Sequence, residues 1–355
     1  MPYESCGTPS SYVAPDGSDP GQSVTACGDA WESLRGDPLP WLLDPYRPNL
    51  HWRVLLELVR RPLESPAVVR ARSGSDAVEP VATLIEDLYP DGTWAVDVPL
   101  WEPYSGPGWR LLAALQWGAN PVDPRLQAAA EVLLETAPGD GGFARSVGGR
   151  AVPWLTARVL HGLGELGWCR HPRFQEGLAW LEDGDANHPD GGWSVVGRRS
   201  VTGECGVTAV ALLGALTACV GRRRQVLKGR AVESLGRIAG TAGAVPVRFG
   251  HPCFGRTDEA ELLWALARAG APLEPAMVPV LRRLQRRQIE GGRWRRSIAV
   301  PKSLPVPVQG LIGEHSRWVT LKCVVALMAY AVEARLPRLY PQKPAPPTHP
   351  VISDQ

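Results

Sequence analysis

An acidic segment with the sequence RTDEAE precedes an apolar helical run and carries a candidate for proton-transfer chemistry. A carboxyl group enclosed by apolar side chains has a raised pKa and can act as a general acid. Asp258 is the first candidate, and Glu204, directly before Cys205, is the second. The spacing of Asp258 and Glu261 also fits a capping box, with Asp at the N-cap and Glu at N3. One residue can serve both purposes, so both interpretations stay open.

Side chains that zinc accepts lie near the same segment. Zinc binds Cys, His and Asp in tetrahedral sites, so Cys205, His251 and Cys253 form a candidate metal set. Against it, His-x-Cys is not a usual chelating pair, and a lone buried Cys is commonly a small hydrophobe. The seven cysteines are scattered without a CxxC pair, which argues against a disulfide scaffold and favours a reducing compartment. We expect no cofactor other than this possible zinc ion.

Tryptophan is unusually abundant, with 14 Trp against 7 Tyr and 4 Phe. Trp109, Trp154 and Trp318 begin helical runs, and Trp264 lies within another. In a dry pocket, an aromatic face stabilises a cation by about 2 kcal/mol or more, although ordinary core packing is the alternative role. Arg317, next to Trp318, suits a diphosphate, which arginine binds bidentately, or a contact with a neighbouring turn.

A repeat positions these residues. Four turn segments, DGTW, DGGF, DGGW and EGGRW, end in aromatic residues that follow one another by 49, 50 and 101 residues. The longest gap spans two periods and predicts a degenerate copy within GTAGAVPVRFG. Periods of 20–50 residues indicate stacked or ring-closed units. We interpret the four aromatic residues as structural staples: Trp94, Phe143, Trp193 and Trp294.

Each period holds a helical hairpin, because apolar residues recur at three- and four-residue spacing. Gly118, Gly167 and Gly270 occupy positions that suit a left-handed C-terminal residue. The first helix of each pair is apolar nearly all round and must be covered on every side, whereas the second is one-sided. The sequence predicts an all-α fold, a single α/α toroid of about five to six hairpins in two concentric rings. We expect the toroid over 39–336, after a disordered leader (1–38) and before a Pro-rich tail (337–355).

The recurring DGGW or DGGF turn resembles the prenyltransferase/squalene-cyclase repeat superfamily, over roughly residues 40–335. The resemblance implies an α/α toroid with a central cavity for an isoprenoid. The chain departs from the family pattern, because it is long enough for only one toroid and lacks the Asp-x-Asp-Asp motif of squalene–hopene cyclases. The zinc triad of protein prenyltransferases has no clear counterpart either.

Three functions follow from this resemblance as alternatives. The first is a terpene cyclase-like enzyme (isomerase or lyase), in which Asp258 protonates a hydrophobic polyene and the four Trp residues and Arg317 contact the substrate. The second is a zinc-dependent prenyltransferase-like enzyme. The third is a non-catalytic toroid that binds a lipid or a protein.

Composition limits the partners. The formal charge of +2 is too balanced for a protein whose main partner is nucleic acid. The sequence contains no run of 18 apolar residues, so it predicts no membrane-spanning helix. Transient contact with a membrane surface is compatible with the sequence. The N-terminal residues do not resemble a secretion signal, so we expect a cytoplasmic protein.

Overall fold

A computed structural model describes residues 30–135, 141–146, 149–183, 192–193, 205–307 and 311–339. Within these ranges the chain forms α-helices, two short 3₁₀ turns and isolated β-bridges, which confirms the all-α prediction. The helices are α1 (Leu39–Leu42), α2 (Pro48–Glu57), α3 (Pro66–Ser73), α4 (Val81–Ile85), α5 (Pro107–Gln116), α6 (Pro124–Glu135), α7 (Pro153–Glu165), α8 (Pro172–Asp183), α9 (Gly206–Leu216), α10 (Arg222–Gly240), α11 (Glu259–Arg268), α12 (Val278–Arg286) and α13 (Arg317–Tyr330).

Proline and glycine set the ends of the hairpin helices. Six of the helices begin with Pro, whose fixed φ suits the first turn and whose missing N–H has no intrahelical partner there. Gly118, Gly167 and Gly270 have φ values of 75°, 86° and 57°, the left-handed conformation expected at these helix ends. The predicted hairpin turns are therefore confirmed.

Among the described helices, α2, α5, α7, α9, α11 and α13 line the ring as its inner helices. The last five run parallel, because the ends of α7 and α9 meet at Gly164 and Ala215, and Tyr330 near the end of α13 donates to the carbonyl of Ala271 just after α11. Trp109 near the start of α5 stacks on Trp154 near the start of α7. At the other end of α7, Glu165 pairs with Arg268, the last residue of α11. The N-termini of these five helices therefore face one mouth of the ring and their C-termini face the other, whereas α2 begins beside the end of α5.

Helix α2 closes the ring between α13 and α5. Its side chains Asn49 and Trp52 donate hydrogen bonds of 3.0 and 2.8 Å to the carbonyls of Trp117 and Gly118, at the end of α5. On its other side, α2 shares an apolar cluster with α13 that contains Leu50, Val54, Leu321 and Val325. The expected closed ring is present, and sequence patterning alone missed α2 as its first member.

Amphipathic outer helices cover the ring. In α12, Val280, Leu281 and Leu284 are buried, whereas Arg282 and Arg286 are exposed. None of the described helices combines the length and apolarity that crossing a membrane requires.

The repeated aromatic residues fasten each outer helix to the next inner one. Three indole N–H groups donate to leucine carbonyls at or near the ends of outer helices, at 2.9–3.0 Å: Trp94 to Leu84, Trp193 to Leu181, and Trp294 to Leu284. The backbone of the same residues, or of their neighbours, also pairs with the segment before the next inner helix, as when Ser316 donates to the Trp294 carbonyl. The interpretation of these residues as structural staples is confirmed for the three Trp copies.

The degenerate repeat lies where the spacing places it. Gly243 has a φ of 75°, and Val245 is buried in the position of the missing aromatic residue. The carbonyl of Pro246 accepts a hydrogen bond from the N–H of Glu259 at the start of α11. This repeat continues into a longer segment, residues 247–257, which we call the lumen loop.

The ends of the toroid extend past the predicted boundaries. The carbonyl of Ser33 accepts hydrogen bonds from Gln285 and Gln288, and the N–H of Leu339 donates to Glu32. Residues 30–38 and 337–339, assigned by sequence to the leader and the tail, therefore pack against the ring. The remainder of the predicted leader and tail lies outside the described residues.

Candidate functional site in the lumen of the ring

Charged side chains of the inner helices point into the lumen. Arg158, His161 and Glu165 in α7 recur at i, i+3 and i+7, so they share one helix face. Helix α11 repeats the spacing with Glu261, Trp264 and Arg268. The two stripes face each other, because Arg158 pairs with Glu261 at 3.4 Å and Glu165 with Arg268 at 3.0 Å.

The middle of the lumen holds a buried ionic group formed by Arg158, Glu261 and Lys322, each at most 3% exposed. Lys322 contacts the carboxylate oxygen of Glu261 that Arg158 leaves free. Burial opposes ionisation of Glu261, but the two cations outweigh it and lower its pKa to about 2. The two cations share one carboxylate, so removal of Glu261 would leave both of them buried without this partner.

Asp258 caps α11 beside this group. Its two carboxylate oxygens accept hydrogen bonds of 2.9 Å from the N–H groups of Glu261 and Gly250. Burial raises the pKa of Asp258 to about 6, although Lys322 and the two N–H donors favour its charged form. The N-cap role is confirmed. The reciprocal half of the capping box is wrong, because the Glu261 side chain turns to Arg158 and Lys322 instead.

The lumen loop fills the space in front of these charges. The N–H of Cys253 donates to the Gln116 side chain at 2.8 Å, and Arg158 Nε donates to the Phe254 carbonyl at 2.9 Å. The His251 ring stacks on Trp318, with centroids 4.6 Å apart. Neither ring nitrogen of His251 makes a hydrogen bond of standard geometry to a described residue. The nearby Gln116 backbone favours its charged form, but burial and the charge of Lys322 outweigh this and hold its pKa well below the usual value.

Five aromatic rings gather at the N-terminal mouth. Trp109 stacks on Trp154 at a centroid distance of 6.0 Å and meets Phe254 edge-on at 5.3 Å. Tyr104 and Trp101 each lie 5.6 Å from Trp109. We call these five residues the aromatic mouth. The guanidinium of Arg145 lies 4.9 Å from the centroid of Trp154, so one face of this mouth already holds a cation.

The C-terminal side of the lumen is ionic. Arg53 of α2 contacts Glu165, and Arg268 contacts both Glu165 and Glu57, at 3.0 and 3.7 Å. His161 lies 3.5 Å from Glu165 and, because it is buried, has a lowered pKa. The pKa of Glu165 lies well below its usual value despite burial, because Arg53 and Arg268 face it. We call Arg53, Glu57, Glu165 and Arg268 the ionic end.

The predicted substrate-binding residues divide among three places. Trp109 and Trp154 come together in the aromatic mouth, whereas Trp318 stacks on the lumen loop. Trp264 lies toward the ionic end, where its indole N–H donates to Glu57 at 2.7 Å. Arg317 turns to the segment before α2, with Asp44 at 3.1 Å and the Trp41 carbonyl as hydrogen-bond acceptor, so it does not share a site with the aromatic mouth.

The candidate metal ligands do not assemble. Cys205 precedes α9 and hydrogen-bonds through its N–H to the carbonyl of Trp193, whereas His251 and Cys253 belong to the lumen loop. Across the described ranges, no group of three or more His, Cys, Asp or Glu side chains is arranged to hold a metal ion. The predicted set Cys205, His251 and Cys253 is therefore not a preformed zinc site. The second acid candidate, Glu204, lies outside the described residues.

The expectation of an apolar cavity in the lumen needs correction, because the lumen is filled by the ionic groups, the lumen loop and the aromatic mouth. An apolar hollow of about 180 Å³ lies outside the lumen, between the turn at Trp94 and helices α5 and α6. Sequence reasoning missed the lumen charges because it treated the inner helices as apolar nearly all round. The signal was present as polar residues at i, i+3 and i+7 in α7 and as charged residues at i and i+7 in α11.

Two solved structures show a distant likeness to this chain. No family model and no curated protein matches it. Among solved structures, a polysaccharide lyase is 13% identical with a TM-score of 0.47, and covers 88% of this chain and 98% of its own. The apo type II terpene cyclase MstE from Scytonema is 16% identical with a TM-score of 0.43, and covers 88% of this chain and 99% of its own. Likenesses this distant assign neither a family nor an activity.

Proposed function

We propose that this ring binds a hydrophobic polyene of the isoprenoid class at the aromatic mouth. The observation that carries the proposal is the set of aromatic rings in mutual contact at the start of α5 and α7, with a cation on the face of Trp154. Trp109 and Trp154 belong to packed helices, whereas Tyr104 and Phe254 belong to loops. A polyene that replaces the loop rings exchanges one set of apolar contacts for another, at little net cost in dispersion energy.

A catalytic role of terpene cyclase type extends this binding function. Asp258 would give its proton to an alkene carbon, whose π electrons form the new C–H bond and leave a cation on the neighbouring carbon. The faces of Trp109 and Trp154 would stabilise that cation, and the final cation would lose its proton to solvent.

Movement of the lumen loop would control both the access of substrate to Asp258 and the pKa of the Asp258 carboxyl group. Substrate reaches Asp258 only after this loop leaves the lumen, and the loop supplies the Gly250 N–H that stabilises the charged carboxylate. Burial is the main cause of the raised pKa of Asp258, about 6. If the bound polyene keeps this carboxyl buried in place of the loop, loss of the Gly250 hydrogen bond raises the pKa further, toward the protonated state that an acid needs at neutral pH.

A non-catalytic binding toroid is the second candidate, and the filled lumen favours it. The lumen loop is held by Gln116, Arg158 and the His251–Trp318 stack, so opening costs several contacts. If the loop stays in place, a ligand meets the aromatic rings and never reaches Asp258.

One experiment separates the candidates. The full chain is incubated with squalene and with geranylgeranyl diphosphate; products are analysed by mass spectrometry, and binding is followed by tryptophan fluorescence. We expect Trp109→Leu to weaken binding about tenfold, because it removes one aromatic wall. Trp41→Leu, which removes a Trp that packs against Arg317 outside the mouth, serves as the control.

The Asp258→Asn variant then tests catalysis, with the exposed Asp87→Asn as its matched control. Product formation that is lost only in Asp258→Asn supports the cyclase. Binding without turnover in the native chain supports the binding toroid. If neither ligand binds, or if Trp109→Leu and Trp41→Leu bind equally well, the aromatic mouth is not the binding site and the proposal is wrong.

A further inference from the structure

Two cysteines occupy equivalent turns of neighbouring repeats. Cys169 follows α7 and Cys219 follows α9, and their numbers differ by 50, one repeat period. The two helices pack closely at these ends, because a Cβ added to Gly164 in α7 would lie 3.2 Å from the Ala215 carbonyl oxygen in α9. The repeat therefore brings the two turns side by side.

The two thiols interact and differ in exposure. Cys169 is partly exposed, whereas Cys219 is only 7% exposed. The Cys219 thiol donates to the Ala215 carbonyl oxygen at 3.3 Å, the same oxygen that Gly164 of α7 approaches, so this thiol lies at the contact between the ends of α7 and α9. Neither Cys169 nor Cys219 forms a disulfide in this structure.

The pair also differs in acidity. The hydrogen bond from Cys219 lowers the pKa of Cys169 to about 6, with a further contribution from Arg170, whereas the pKa of Cys219 is raised. An accessible thiolate beside a buried, protonated thiol is the arrangement of an attacking and a resolving cysteine.

We infer that Cys169 and Cys219 form a reversible, redox-active dithiol that closes to a disulfide on reaction with a low-molecular-weight disulfide. In the first step, the Cys169 thiolate attacks one sulfur of the reagent, the S–S bond breaks, and one small thiolate leaves. In the second step, Cys219 loses its proton and attacks the Cys169 sulfur, which releases the second small thiolate. The two cysteines lose two electrons, and the reagent is reduced to two thiols.

The disulfide would tie the turn after α7 to the turn after α9. Glu165 of the ionic end lies four residues before Cys169, so the bond would brace the rim next to these charges. This inference does not depend on the proposed function, since neither cysteine touches the aromatic mouth or Asp258 in the contacts described above.

The full chain is equilibrated in mixtures of oxidised and reduced glutathione between about −300 and −150 mV, a range that includes the potentials of thioredoxin, the glutaredoxins and protein disulfide isomerase. Remaining thiols are then alkylated and the peptides are mapped. We expect the native chain to lose the mass of two hydrogen atoms and to give a peptide that links Cys169 to Cys219. Cys219→Ser should instead retain one glutathionyl group on Cys169, because the resolving thiol is gone. Cys205→Ser, which removes a buried thiol at the other end of α9, should behave as the native chain.

The pH dependence of alkylation gives a second readout. The rate at Cys169 should rise with a midpoint near pH 6 in the native chain, and this midpoint should move toward the ordinary thiol value in Cys219→Ser, which changes the hydrogen bond. A native chain that forms no Cys169–Cys219 link anywhere in the redox range overturns the inference. So does a linked peptide that pairs either residue with a different cysteine.

Discussion

The two ends of the lumen are filled by different kinds of contact. At the aromatic mouth, rings from α5, α7 and two loops touch through their faces and edges. At the ionic end, two arginines alternate with two glutamates from α2, α7 and α11. An aromatic contact can be replaced by a contact with another apolar group at little cost. A buried ion pair stabilises the fold only while its opposite charges stay directly paired. The mouth is therefore suited to a ligand, and the ionic end is suited to holding the ring together.

Helix polarity reinforces this difference. Helices α7 and α11 are parallel, so the negative ends of their dipoles meet at the ionic end and favour the cations Arg53 and Arg268 there. The positive ends converge at the mouth side, where Asp258 caps α11.

Removal of the charge of Glu165 should have the largest effect. Glu165→Gln leaves Arg53 and Arg268 buried with Glu57 as their remaining carboxylate, and loss of one partner of a buried ionic group costs about 3–5 kcal/mol. The free energy of unfolding in urea measures this loss. Trp109→Leu at the mouth is the comparison, for which we expect a smaller loss of about 2 kcal/mol, since part of the volume is retained. If Trp109→Leu is the more destabilising of the two, the ionic end does not hold the ring together.

Two neighbouring carboxylates should give pH dependences of opposite sign. The folded pKa of Asp258 is about 6 against an ordinary 3.8, so its burial costs stability that grows as pH rises through this window. The folded pKa of Glu261 is about 2 against 4.5, so it contributes stability that is lost as pH falls through that window. Each shift corresponds to about 3 kcal/mol, at 1.36 kcal/mol for each pKa unit.

Urea unfolding between pH 3 and 7 tests both signs. Relative to the native chain, Asp258→Asn should gain stability as pH rises from about 4 to 6, because the amide keeps the N-cap but carries no charge to bury. Glu261→Gln should be less stable than the native chain at pH 7, and this difference in the free energy of unfolding should shrink as pH falls below about 4.5. Parallel pH profiles for the native chain and Asp258→Asn would show that the Asp258 carboxyl is not perturbed by burial.

The sequence predicts the ring because the ring depends on periodic features. The staple spacing and the glycines after the hairpin helices are local signals, and both are where the pattern places them. The contents of the lumen depend on contacts between residues about 100 positions apart, such as Arg158 and Glu261, which no local pattern pairs. The path of the lumen loop could not be predicted either, because it follows the degenerate repeat, which has no aromatic staple to mark its position. Asp258 could be recognised as an N-cap from spacing alone, whereas its raised pKa depends on burial by other elements.

The smallest effect should come from His251, which lies where the two kinds of contact meet. Its ring stacks on Trp318 and meets Trp117 edge-on, but neither of its buried nitrogens makes a hydrogen bond of standard geometry to a described residue, although the Gln116 backbone lies close. A buried unsatisfied polar group destabilises the fold, so His251→Phe, which keeps the aromatic stack, should raise the free energy of unfolding by about 1 kcal/mol. His251→Ala should lower it instead, because that change also removes the stack and leaves a cavity. Urea unfolding of both variants at pH 7 measures the difference. A loss of stability in both variants would mean that the imidazole nitrogens form hydrogen bonds in solution. This part of the lumen would then be held by polar contacts, as the ionic end is.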